Sequence, residues 1–210
     1  MEIESQWRWV ETERRSLAAL LAELGAEQWE SPSLCTEWRV RDVAAHVAMT
    51  PAGEPATRQL LAGLVRARGD LWAFGRDVAI AWGAQRTPAD VVAVLDQQAA
   101  SRRMPRVTNA ANLLLDVLVH GQDIAVPLGI DRPVPTEPGA AALRRIWAMG
   151  WPFHARRRLA GLALVATDAD VRLGAGAEVR GPLAALLLLS TGRAAAACER
   201  LTGPGLAGLS

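Results

Sequence analysis

The stretch LLLDVLVHGQDI, residues 113–124, sets Asp116, His120 and Asp123 into an otherwise apolar run. At about 100° per residue the three stand at i, i+4 and i+7, within about 60° of one another on one helix face. The rest of that helix is leucine, valine and isoleucine, and a helix apolar all round is normally a buried one. A carboxylate taken out of water costs several kcal/mol unless it is paired, hydrogen-bonded or bound to a metal. Asp116 and His120, one turn apart, can reach a single ion. A third ligand must come from elsewhere, and the chain has three histidines: His46, His120 and His154. His46, on a predicted inward-facing helix, is the best placed. Two histidines and a carboxylate with an open fourth position is a common arrangement for catalytic zinc. The plainer alternative stays open: His46 as a hydrogen-bonded core residue, and Asp116 and His120 paired with each other or with arginine. Asp123 reads as the group that holds His120 from behind, or as a cap, rather than as a ligand. His154, in WPFHARRR, reads as surface or interdomain.

The composition narrows the chemistry. All 23 basic residues are arginine, there is no tyrosine, and only Asn109 and Asn112 carry asparagine, a bias expected of a GC-rich genome. Without lysine there is no Schiff-base nucleophile, and without tyrosine no phenolic acid. General acid–base work therefore falls to His, Asp, Glu or metal-bound water. A net charge of +1, with 22 acids spread along the chain, argues against a nucleic-acid partner. The two cysteines, Cys35 and Cys198, form no C-x-x-C pair, which argues against a cysteine zinc site and a disulfide framework. The N-terminus has no apolar leader, and LAALLLLS (183–190) is too short to span a bilayer, so the expectation is a cytoplasmic protein with no membrane partner.

The elements that must position these residues are mostly helical. Apolar spacing predicts a helix over 4–24 closed by Gly25, one over 40–50 ending before Pro51, and pieces over 54–68 and 70–84. Thr87-Pro88 opens a helix to about Arg103, and the 113–124 helix follows. PLGIDRPVPTEPGA is a loop before a helix near 138–149. The texture then changes: 159–181 reads as two or three strands, followed by a helix from Pro182 to near Gly192 and a last short helix in AAAACERL.

Three segments, WRVRDVAAHV, LLLDVLVHGQDIAVPLG and VRLGAGAEVRGPLAALLLLSTGR, together resemble the mycothiol-dependent maleylpyruvate isomerase family of the DinB-like superfamily. The resemblance implies a mainly α fold: a DinB-like up-down four-helix bundle over 1–152, then a small α+β domain over 153–210. It implies a divalent metal, zinc or alternatively nickel, on His46, Asp116 and His120, with mycothiol as thiol cosubstrate. It also implies an arginine from the second domain facing the site, and Arg193 in the S-T-G-R run matches it. The isomerase type carries glutamate where this chain has Asp116. Aspartate is one methylene shorter, which draws the ion toward the helix axis or has the acid bind through water, and so bears on metal choice.

On this reading the thiol enters the open metal position as thiolate and adds to a small electrophile held through its carboxylate by arginine, as isomerase or S-transferase. Two rivals stand beside it. One is a thiol-independent metal hydrolase. The other is a non-catalytic module that binds an apolar ligand. The eight tryptophans do not decide among them: Trp38, Trp147 and Trp151 can line a pocket, although core is the expected place.

Overall fold

The computed structural model describes residues 1–52, 71–105 and 108–209. Its helices are α1 (Ile3–Ala22), α2 (Ala26–Glu30), α3 (Val40–Ala52), α4 (Leu71–Gly83), α5 (Pro88–Gln97), α6 (Ala110–Ala125) and α7 (Thr136–Ala148). After α8 (Ala155–Arg158) come β1 (Leu162–Ala166), β2 (Arg172–Gly174), β3 (Ala177–Gly181), α9 (Leu183–Ser190) and α10 (Ala194–Cys198). The fold is thus mainly helical, a helical bundle followed by a small α+β unit. The helix expected over 54–68 lies outside the described residues.

Helices α1 and α3 each pack against both α5 and α6, closing a four-helix bundle, and α4 lies against α3. Helix α6 is buried almost all round because it serves two cores. Leu113, Leu114, Leu115, Leu118 and Val119 join a cluster that continues through α7 into the sheet unit, whereas Val117 and Ile124 face the cluster built on α3. Each such side chain contributes about 1.5–3 kcal/mol on burial, so α6 is a rigid base for the polar groups it carries. No helix among the described residues is long and apolar enough to cross a membrane.

Local chemistry explains where the boundaries depart from expectation. Helix α1 stops at Ala22, and Gly25 instead opens α2, its N–H bonded to Gln28 Oε1 at 2.9 Å. Thr87 caps α5 as expected, accepting from Asp90 N. That helix ends at Gln97, short of Arg103, and the buried Arg14 guanidinium takes up carbonyls released beyond it, donating to Ala99 O and Ser101 O. Helix α6 starts three residues early because Asn109 accepts from Asn112 N at 3.0 Å.

In the C-terminal unit the sheet order is β2-β1-β3, with β1 antiparallel to β2 and parallel to β3. Leu164 faces Leu173 on one side and Val179 on the other. Helix α9, LAALLLLS, is buried along its whole length, as an all-apolar helix must be. It packs on α7, and Asp168 accepts its first N–H, from Leu183, at 2.9 Å.

Candidate metal centre

Three elements converge on one end of the bundle. Helix α3 supplies His46 and α6 supplies Asp116, His120 and Asp123, while the turn after α9 supplies Arg193. The turn works because Gly192 takes φ +94° and the Arg193 N–H returns to Leu188 O at 2.8 Å, which aims Arg193 back at α6. The loop before α3 is fastened by Leu34 N donating to Asp123 O at 3.0 Å, which brings Cys35 and Trp38 against the same helix. Asp42, buried in the first turn of α3, accepts from Arg39 N and Nε and fixes that helix's start.

His46, Asp116 and His120, expected from sequence to share one ion, are together. The Nε2 atoms of both histidines approach the same oxygen, Asp116 Oδ1, at 3.6 Å from His46 and 3.4 Å from His120. One donor atom from each of the three residues lies within 4.8 Å of the others. These separations exceed an ordinary N–H···O bond of about 2.9 Å and match the edge, about 3.4 Å, between ligands some 2.1 Å from one tetrahedral centre. Two imidazole nitrogens and a carboxylate oxygen are a donor set suited to zinc or nickel. His46 Nδ1 is buried with no hydrogen-bond partner among the described residues, so only its Nε2 edge engages the cluster.

His120 is held from behind. Its Nδ1 meets Asp123 Oδ2 at 2.9 Å, and Trp38 stacks on its ring at a 6.2 Å centroid separation. Asp123, fully buried, accepts Arg193 Nε at 2.9 Å and Nη2 at 2.7 Å, a two-pronged ion pair. Burial alone would raise the Asp123 carboxyl, but the hydrogen bond and charge of His120, joined by those of Arg193, hold it down at about 2. Burial likewise opposes ionisation of Asp116, and the two facing imidazoles outweigh it, keeping that carboxyl well below the usual range. Burial would lower His120, yet Asp116 across from it, with the bonds to Asp123 and Cys35, drives it well above its ordinary value. In this arrangement the raised His120 supplies positive charge of the kind a divalent cation supplies to such a carboxylate.

Arg193 reaches the site, but its guanidinium is largely committed. Besides Asp123 it donates through Nη1 to Thr191 O at 2.8 Å and through Nη2 toward Cys35 Sγ at 3.4 Å. Cys35 also lies 3.1 Å from Asp123 Oδ2 and 3.7 Å from His120 Nδ1. Contrary to the expectation from the missing C-x-x-C motif, a single cysteine from a loop joins the cluster. The Cys35, His120 and Asp123 donor atoms are close enough to meet one ion, yet the Arg193 cation already fills the charge requirement there. The His46 group, by contrast, opens onto a cavity of about 990 Å³.

That cavity is lined by Trp38 and Trp151 as well as by Arg145 and Asn112. Trp151 is exposed rather than core, and Trp147 packs half-buried against the core and edges a separate, smaller depression together with His154. His154 itself is exposed, away from the metal cluster. Cys35, Arg145 and Asn112 were not singled out from sequence. Cys35 sits in a loop without periodicity, and Arg145 reads as one more solvated arginine, so neither left a signal to follow.

A family model described as the mycothiol maleylpyruvate isomerase N-terminal domain matches residues 10–125. The crystal structure of the mycothiol-dependent maleylpyruvate isomerase is similar over 97% of this chain and 93% of that one, at 17% identity and a TM-score of 0.57. A variant of that enzyme with one histidine changed to alanine aligns over the same shares at 15% identity and a TM-score of 0.55. These two likenesses establish the shared fold. No curated protein matches the chain. Since the family model spans more than half of the 210 residues, the chain belongs to the mycothiol maleylpyruvate isomerase N-terminal domain family.

Proposed function

We propose that this chain is a metal-dependent enzyme that uses mycothiol or a related small thiol to isomerise, or to transfer sulfur onto, a small electrophilic substrate bearing a carboxylate. His46, Asp116 and His120 hold one divalent ion, zinc in the first instance and nickel as the alternative. The observation that carries the reading is the approach of two imidazole Nε2 atoms to one carboxylate oxygen at the wall of a large cavity. Family membership favours a thiol over water as the nucleophile. When bound, the ion lowers the pKa of a coordinated thiol and so supplies a thiolate near neutral pH.

The chain's own residues prepare that site. Asp123 takes the Nδ1 side of His120, which leaves Nε2 to present its lone pair toward the cavity. Arg193 locks Asp123 in turn, so its role is to position Asp123 and His120. Residues 1–152 carry the metal ligands and residues 153–210 contribute Arg193. Trp38 and the apolar wall of Leu115 and Val119 exclude water from one side of the reacting groups.

The test is metal content by mass spectrometry on untagged protein, wild type against His46→Ala, Asp116→Ala and His120→Ala, with thiol-dependent turnover of unsaturated acids measured on the same samples. About one ion per chain, lost in each variant, is the expected result. Wild type that takes up neither zinc nor nickel refutes the reading.

A further inference from the structure

Among the described residues three arginines line the cavity: Arg76, Arg145 and Arg193. Two of them are neutralised. Arg76 pairs with Glu37 and Asp77, and Arg193 with Asp123. Arg145 has no carboxylate within ion-pair reach among the described residues. Its Nε donates to the side-chain oxygen of Asn112 at 3.0 Å, which fixes the plane of the guanidinium and leaves both terminal nitrogens for another partner. Among the described residues Asp116 is the only acid lining the cavity, and it faces the two histidines. Among the described residues the cavity therefore holds one uncompensated, oriented cation in a half-buried wall, a demand for an anion.

The placement of that cation is informative. Arg145 sits in the last turn of α7, and its anchor Asn112 stands one turn before Asp116 on α6. Four residues of helix rise about 6 Å, so Asn112 anchors Arg145 about one helix turn along α6 from Asp116, with Leu115 on the cavity wall between them. From this we infer that Arg145, oriented by Asn112, is the residue that binds the substrate's carboxylate, on the same cavity wall as the candidate metal ligands. The inference rests on the proposed function for the identity of the reacting group, while the anion site itself rests on Arg145 and Asn112. Asn112 is a positioning residue and Arg145 a binding one.

Maleate is the probe. Its affinity is measured by titration calorimetry for wild type, Arg145→Gln, Arg145→Lys, Asn112→Ala and Arg76→Gln, with metal content and melting temperature recorded on each preparation. Arg145→Gln is expected to weaken maleate about 10- to 100-fold with metal content unchanged. Arg145→Lys recovers part of the loss, because the charge returns without the fork. Asn112→Ala, which keeps the charge and frees the side chain, gives a smaller loss, and Arg76→Gln gives none. Binding by Arg145→Gln as tight as wild type overturns the inference, as does wild type that gives no heat of binding at millimolar maleate, or an equal loss from Arg76→Gln. Wild type that takes up neither zinc nor nickel yet binds maleate through Arg145 refutes the metal centre and keeps the anion site. A metal-loaded, thiol-dependent protein indifferent to Arg145 does the reverse.

Discussion

Replacing Asp123 by asparagine tests the support behind the metal centre, because the two side chains have nearly the same shape and differ in charge and donor pattern. Asp123 is fully buried and accepts from His120, from two nitrogens of Arg193 and from Cys35. Asparagine keeps one accepting oxygen and turns an NH2 group toward the other donors. Breaking one side of a buried ion pair costs about 3–5 kcal/mol, and the Arg193 side chain, 18% exposed, recovers part of that through solvent. A loss of about 2–4 kcal/mol follows. The carboxyl's own titration gives the same scale: its descent from 3.8 to about 2 on folding corresponds to roughly 2–3 kcal/mol. Because the folded pKa is depressed, this stability is present above the unfolded value and is lost as pH falls from near 4 through about 2. The advantage of wild type over the variant should therefore be constant from neutrality down to about pH 5 and shrink below it.

The assay is thermal melting and urea titration of both proteins across that pH range, with metal affinity measured alongside. For a chain of this length the melting temperature should drop about 5–15 °C at neutral pH, and metal affinity about 10- to 100-fold as His120 loses its orientation. In the double variant Asp123→Asn/Arg193→Met the combined loss should be smaller than the sum of the single losses, since the unpaired guanidinium is gone. A melting temperature within about 2 °C of wild type, with metal affinity unchanged, would refute the claim that Asp123 holds this site together.

Two further outcomes test the frame around the site. Thr87→Ala removes both the Thr87 Oγ1 acceptor for Asp90 N and the hydroxyl's own bond to Asp90, and calorimetry should show a melting temperature about 2–4 °C lower with ligand binding intact. Gly176→Ala places a methyl group 1.9 Å from Gly161 O at φ +123°, a backbone region closed to alanine. It should cost at least 2 kcal/mol or so by urea titration, and a neutral result would show that the β2–β3 turn relaxes freely.

The cluster of His46, Asp116 and His120 was the most legible part of the molecule. Asp116, His120 and Asp123 lie on one helix, where a fixed 3.6-residue period converts spacing into direction. His46 was reachable because so few histidines compete for the place. The helix caps at Thr87 and Asn109 are local bonds within four residues, and the first of them was readable for that reason. Arg193 was located through the S-T-G-R motif, but its commitment to Asp123 was not: a two-pronged ion pair across 70 residues depends on how α9 ends and where it lies on α7.

What the sequence alone determined, then, is what periodicity and composition encode: a helical bundle, a buried polar face on one helix, a residue choice that leaves arginine as the sole long cation, and the motifs that mark the family. The tertiary structure decided which groups meet. It brought loop residue Cys35 against His120, spent the charge of Arg193 on Asp123 and left Arg145 facing the cavity with Asn112 behind it. The physical reason is range. Helix propensity, capping and amphipathic spacing act over a few residues and are written in order along the chain, whereas charge compensation and cavity lining arise among residues far apart in sequence and exist only once α6, α7 and the turn after α9 have packed.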